Sequence, residues 1–137
     1  MTTPLKLSAS PHVAFVPIAD KDKALVFYRD QLGLTLIEDQ SPFALVFKLN
    51  EQPNGDGTML RATFAGDFKP QQFTILGWQV ADIESTVREL NTAGVAFNKY
   101  PGMNDSHPLA IWTAPGGTKV AWFNDPFGNV LSLQQNP

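Results

Sequence analysis

The segment Val120-Ala121-Trp122-Phe123-Asn124-Asp125-Pro126-Phe127-Gly128-Asn129 decides how the chain is read. Its first four residues favour extended backbone, which predicts a strand over 118–123. Asp125 can bond backbone two residues on, Pro126 fixes φ, and Gly128 or Asn129 tolerates positive φ. A strand, a tight turn at 124–129 and a return strand at 130–134 follow from these preferences, and none of them requires a substrate.

Upstream of that turn, strands are expected at 73–80, 95–98 and 109–113, with a turn at 114–117 and a Pro-, Gly- and Asn-rich excursion at 100–108. Asp82 stands where a helix N-cap belongs, and Ile83, Val87, Leu90 and Ala93 give an apolar helical face that ends at Gly94. The same order opens the chain: a strand at 12–18, a cap at Asp20, a helix carrying Ala24, Leu25, Phe27, Tyr28 and Leu32, and a stop at Gly33. Pro17 cannot donate to a ladder, so its strand lies at an edge or carries a bulge. Strands at 34–38, 43–49 and 58–64 complete this half, the last two separated by a polar stretch with a turn at Pro53, Asn54 and Gly55. Gly33 lies thirteen residues after Asp20, and Gly94 twelve after Asp82. The repeat therefore predicts one domain over 1–137 built of two modules, at about 11–65 and 73–134, joined by a linker at 66–72. Each half-sheet alone would leave an apolar face open, and two halves can close a core. An ordinary α+β sandwich in which two Asp-capped helices recur by chance is the simpler alternative.

These features resemble the vicinal oxygen chelate superfamily, the group of glyoxalases, bleomycin-resistance proteins and extradiol dioxygenases. The resemblance rests on Val16-Pro17-Ile18-Ala19-Asp20, Ala24, Phe27-Tyr28-Arg29-Asp30 and Leu32-Gly33-Leu34 at the start, and on the closing turn Asp125-Pro126-Phe127-Gly128-Asn129. It implies an α+β fold of paired βαβββ modules whose curved mixed sheets enclose a cleft, and often a homodimer. Metal-dependent members place His or Gln on the first strand of each module and Glu near the end of a last strand. A divalent cation held there grips two vicinal oxygens of the substrate and stabilises an enolate or related anion. Counting from the two capping aspartates puts Val13 and Ile75 at the first-strand positions, and Ser132 stands where the glutamate is expected. His12 is adjacent to Val13, but a shift of one residue turns a strand side chain to the other face, so His12 serves as a ligand only if the strand is bulged. No metal or other cofactor is therefore expected, with a divalent metal at His12 as the alternative.

Composition narrows the remaining choices. The chain carries 10 Lys plus Arg against 13 Asp plus Glu, a net charge of −3, with the basic residues scattered; a nucleic-acid partner is not expected. Zero cysteines exclude disulfides, thiolate metal sites and a cysteine nucleophile. No run approaches a membrane span, and Pro4 and Lys6 interrupt any secretory leader, so a cytoplasmic protein without a membrane partner is expected. Gly116-Gly117 reads as a hairpin rather than a phosphate loop, and Ser132 lacks a nucleophile elbow. Strand alternation puts Gly77 and Gln79 on one face if Ile75 points there, and likewise Val13 with Phe15 and Val130 with Ser132. Phe15, Gln79 and Ser132 are thus candidate cleft residues, and Phe47, Tyr100, Trp112 and Trp122 are further aromatic candidates whose facing, toward the cleft or the helix-side core, the sequence leaves open; the expected wall is apolar with few polar groups. His107 reads as an exposed loop residue or a base on a lid, and Glu38 and Asp39 as a solvated strand end. The first reading is a metal-independent binder of a small, partly apolar molecule. A lyase, isomerase or dioxygenase with a relocated site at His12, helped by Glu38 or His107, is the second. An interaction module whose cleft is filled by its own side chains is the third.

Overall fold

A computed structural model describes residues 7–51 and 57–137. The turn expected at Pro53, Asn54 and Gly55, and the leader positions Pro4 and Lys6, lie outside the described residues. After a short 3-10 turn at Leu7–Ala9, the first half runs β1 (Val13–Ile18), α1 (Lys21–Ala24), β2 (Thr35–Gln40), β3 (Ala44–Lys48) and β4 (Met59–Phe64). The second half runs β5 (Thr74–Gln79), α2 (Ile83–Thr92), β6 (Trp112–Thr113), β7 (Lys119–Asn124) and β8 (Val130–Gln135).

Both aspartate caps form as the sequence predicts: the Asp20 carboxylate accepts from Lys23 N and that of Asp82 from Ser85 N. α1 continues as a π-helical stretch, Leu25–Gln31, closed by a bond from Leu32 N to Phe27 O. The wider turns hold one extra residue between cap and glycine stop, which accounts for the spacing of thirteen against twelve.

Two mixed sheets result, in the orders β1-β4-β3-β2 and β5-β8-β7-β6, with the outer pairs β1–β4 and β5–β8 parallel. The tandem βαβββ arrangement is present, but the expectation of curved sheets enclosing a cleft is overturned. Among the described residues the strands form two separate four-stranded sheets, neither of them closed on itself. The physical reason lies in where the apolar alternation is spent. Val16, Ile18, Leu45, Phe47, Leu60 and Ala62 of the first half and Ala121, Phe123, Leu131 and Leu133 of the second point to the helix side and share one core with Phe27, Tyr28, Ile83 and Val87. The opposite faces carry mixed residues that have no second layer to bury against. Among the described residues, no helix is long and apolar enough to cross a membrane.

Buried polar bonds tie the halves together. Asp125 Oδ1 accepts from Phe127 N and Asn129 N, both at 2.9 Å, while its Oδ2 accepts from Tyr28 Oη at 2.6 Å and Asn129 Nδ2 at 2.7 Å. Asn129 Nδ2 also donates to Pro17 O at 2.9 Å. The turn that organises the second half is thus bolted to the helix and first strand of the other. Gly128, at φ +89°, lies so close to Pro70 that a Cβ would meet its ring carbon at 2.9 Å, so only glycine fits.

Candidate functional site

The second sheet builds the site through an interrupted edge strand. Phe97 bridges Phe123 and Asn98 N bonds Trp122 O, after which the chain leaves the sheet and returns at Trp112, which pairs with Val120. The strand expected at 95–98 is therefore reduced to one bridge, and the one expected at 109–113 to the two residues of β6. The excursion between them is held by the buried side chain of Asn104. Its Nδ2 donates to Asn98 O at 2.9 Å and Ala110 O at 2.7 Å, and its Oδ1 accepts from Tyr100 N at 2.7 Å. His107 Nδ1 accepts from Leu109 N at 3.0 Å, so this half-buried histidine organises the loop.

That geometry sets Tyr100 over the open face of β7. Its ring meets Trp122 edge-on at 5.6 Å between centroids, and Trp122 lies 6.0 Å from Trp112. Phe73 and Met103 join Tyr100 and Trp122 around a hollow of about 320 Å³. Trp122 pairs across the ladder with Ser132, and Ser132 with Gly77. A Cβ at Gly77 would come within 2.6 Å of Ser132 Oγ, so the glycine leaves the hydroxyl room on this face. A shallow groove of about 480 Å³ continues along Thr74, Gly77, Gln79 and Ser132.

Tyr100, Trp112, Trp122 and Ser132 therefore come together, with Gln79 along the same groove. Phe15 sits on the open face of the first sheet, 61% exposed. Phe47 does not line an open face: alternation turns Val46 and Lys48 outward and seals Phe47 in the core, 5.8 Å from the Tyr28 ring. Trp78 also points inward and stacks on Phe123 at 6.5 Å. Ile75 is the extra residue of a bulge between Thr74 and Leu76; it packs against the core and borders the groove, whose floor on this strand is Thr74, Gly77 and Gln79. Gln79 additionally borders a helix-side hollow of about 260 Å³ among Leu32, Leu34, Trp78 and Leu90.

The first sheet carries a polar chain absent from the sequence reading. Phe15 pairs with Arg61, Arg61 with Val46, and Val46 with Glu38, one row across the open face. Arg61 Nη1 donates to Gln40 Oε1 at 2.6 Å, and Gln40 Nε2 donates to Glu38 Oε2 at 2.9 Å. Asp39 points the other way, paired with Lys21 and Ser41, and the Lys21 ammonium leads the contacts that lower its pKa to about 2. The signal for Arg61 was present in the sequence: a lone cation at the centre of Met59-Leu60-Arg61-Ala62-Thr63-Phe64, on the phase opposite Leu60 and Ala62.

The donor set does not fit the divalent metal that the fold implies. The first strands offer Val13 and the bulged Ile75, and the last strands offer Arg61 beside Phe15 and Ser132 beside Gly77. Neither aliphatic side chain can coordinate, and a guanidinium repels a dication. His12 does not rescue the site: β1 runs unbroken from Val13↔Met59 to Ile18↔Phe64, so the bulge that would turn it onto the face of Val13 is missing. Pro17 sits in register on an edge strand. Among the described residues, no three His, Cys, Asp or Glu converge on a common point.

Residues 10–133 match the family model of the glyoxalase/bleomycin resistance protein/dioxygenase superfamily. The chain belongs to that superfamily. Superfamily structures similar to it include a glyoxalase/bleomycin resistance protein from Catenulispora acidiphila, 19% identical, TM-score 0.68, covering 93% of this chain and 99% of that one. A glyoxalase family protein from Enterococcus faecalis is 20% identical, TM-score 0.66, covering 90% and 94%. A superfamily member from Sphaerobacter thermophilus is 25% identical, TM-score 0.64, covering 92% and 96%. No curated protein matches the chain. Superfamily membership thus accounts for the architecture, and the chemistry has to be read from this chain's own open faces.

Proposed function

We propose that the chain is a metal-independent binder of a small, flat, partly apolar molecule, held on the open face of the second sheet. The observation that carries this reading is the cluster of Tyr100, Trp112 and Trp122, brought together by a loop that leaves the edge strand and returns to it. Aromatic faces stack on planar ligands and contribute about 0.5–1.5 kcal/mol per pair beyond area burial. Ser132 and Gln79 supply the few hydrogen-bonding groups that fix orientation in such sites. The side chains at Val13, Ile75 and Ser132 support a mode of binding in which no cation takes part.

The binding unit is a homodimer in this reading. Its support is the exposure of Phe43 and Ile37, large apolar side chains left without cover in one chain and used by neither open-face site. Light scattering is expected to give twice the chain mass, and a monomer would contradict it. The absence of cysteine suits a reducing, cytoplasmic setting.

The test is titration of metal-free protein with a planar aromatic probe, 2-naphthamide, followed by tryptophan fluorescence and backbone amide shifts. Saturable binding with shifts around 100, 112, 122 and 132 is expected, weakened about tenfold or more in Trp122→Ala. Equal binding by the variant, or shifts confined to the first sheet, would contradict the assignment.

A further inference from the structure

The fixed charge on the first sheet extends this reading. Arg61 is half-buried at the centre of the open face, and among the described residues no carboxylate lies within ion-pair distance of it. A partly desolvated cation without a counter-ion is unfavourable unless something else satisfies it. Its one side-chain bond, to Gln40, is anchored in turn by Glu38, so the guanidinium is oriented rather than neutralised. A guanidinium has five N–H donors in a planar fork, and the bond to Gln40 uses one. Lys48 lies on the same face: Val46 pairs with Arg61, and Lys48, two residues on, pairs with Met59, two residues before Arg61. Arg61 and Lys48 against the single carboxylate of Glu38 leave this face net positive on a chain of net charge −3, and the exposed ring of Phe15 borders Arg61.

We propose that Arg61 is an anion-recognition residue, and that the ligands of the open sheet faces include small aromatic or apolar carboxylates whose carboxylate is gripped by its guanidinium. The carboxylate takes the unused fork of Arg61, Lys48 adds a second cation within the same patch, and Phe15 covers the adjoining apolar part. Gln40 is a positioning residue: it sets the plane of the fork without touching the ligand. The proposal rests on the open faces binding small molecules at all, and the experiment separates the two.

Metal-free protein is titrated with 2-naphthoate and with its neutral counterpart 2-naphthamide, with amide shifts and calorimetry as readouts. The carboxylate is expected to bind about tenfold more tightly than the amide, equivalent to about 1.4 kcal/mol. It should shift residues around 15, 48 and 61, and its advantage should shrink as salt is raised. In Arg61→Gln the two probes should bind within about twofold of each other, Arg61→Lys should keep part of the preference, and Gln40→Ala should lower it without abolishing amide binding. If Arg61→Gln fails to fold, Arg61→Lys and Gln40→Ala carry the same comparison, and an unchanged preference in both overturns the proposal. Equal affinity for the two probes in the parent protein also overturns it while leaving small-molecule binding intact. Failure of both probes to bind contradicts the broader functional reading and this proposal with it.

Discussion

At Asp125 a single buried carboxylate accepts from two backbone amides, one side-chain amide and the Tyr28 hydroxyl, and so links residues ninety-seven positions apart. Burial is the leading cause that raises the Tyr28 pKa, and the charge and hydrogen bond of Asp125 raise it further. A phenol whose folded pKa exceeds its unfolded value near 10 contributes stability that is fully present below about pH 10 and is lost as pH rises beyond it, by about 1.4 kcal/mol per pH unit. Tyr28→Phe removes the donor from a charged acceptor, and denaturant unfolding at neutral pH should show a loss of about 1.5–3 kcal/mol. The same variant should lose less stability than the parent between about pH 10 and 11, because it has no phenol to ionise. The roles of Asp125, Pro126 and Gly128 were legible from residue type alone, since turn chemistry is local. Arg61 was legible as a lone cation on the outward phase of its strand, but its lack of a carboxylate partner among the described residues was not, because that depends on what surrounds it in three dimensions.

Among the elements, the segment between Asn98 and Trp112 shapes most of the proposed site, and it has no regular structure of its own. Asn104 satisfies three backbone groups at once, so Asn104→Ala leaves Tyr100 N, Asn98 O and Ala110 O without those partners. A loss of about 1–3 kcal/mol is expected. Hydrogen exchange should show lost protection concentrated in 98–111, with β7 and β8 still protected, and probe binding at Tyr100 and Trp122 should weaken with it. Uniform loss of protection across the sheet would show that Asn104 supports the whole fold and not the loop. Capped helices and alternating strands were readable at this scale because each is set by short-range periodicity. The split edge strand was not: Phe97 and Trp112 become neighbours of β7 only through pairing with a strand more than twenty residues beyond Phe97. The facing of the tryptophans has the same origin. Trp78 and Trp122 both lie within strands, and the side to which each points depends on register.

For the molecule as a whole, the two modules share a core on the helix side, and this leaves both sheets open on the other. The repeat and the closing turn made the tandem architecture legible, whereas closure of a cleft followed from resemblance and fails here because the apolar alternation of both halves is used up in the shared core. What remains exposed is chemically uneven: an aromatic cluster with Ser132 on one sheet, and Arg61 with Phe15 on the other. Among the described residues no three His, Cys, Asp or Glu side chains converge on either face, and the proposed ligand capture needs no metal. The most direct test is to measure the affinity of the aromatic probe before and after exhaustive chelation, with the metal content of the same sample determined by elemental analysis. Saturable binding that chelation leaves unchanged, with no stoichiometric metal in the protein, is the expected result. Binding that disappears on chelation and returns with one equivalent of a divalent ion would contradict it.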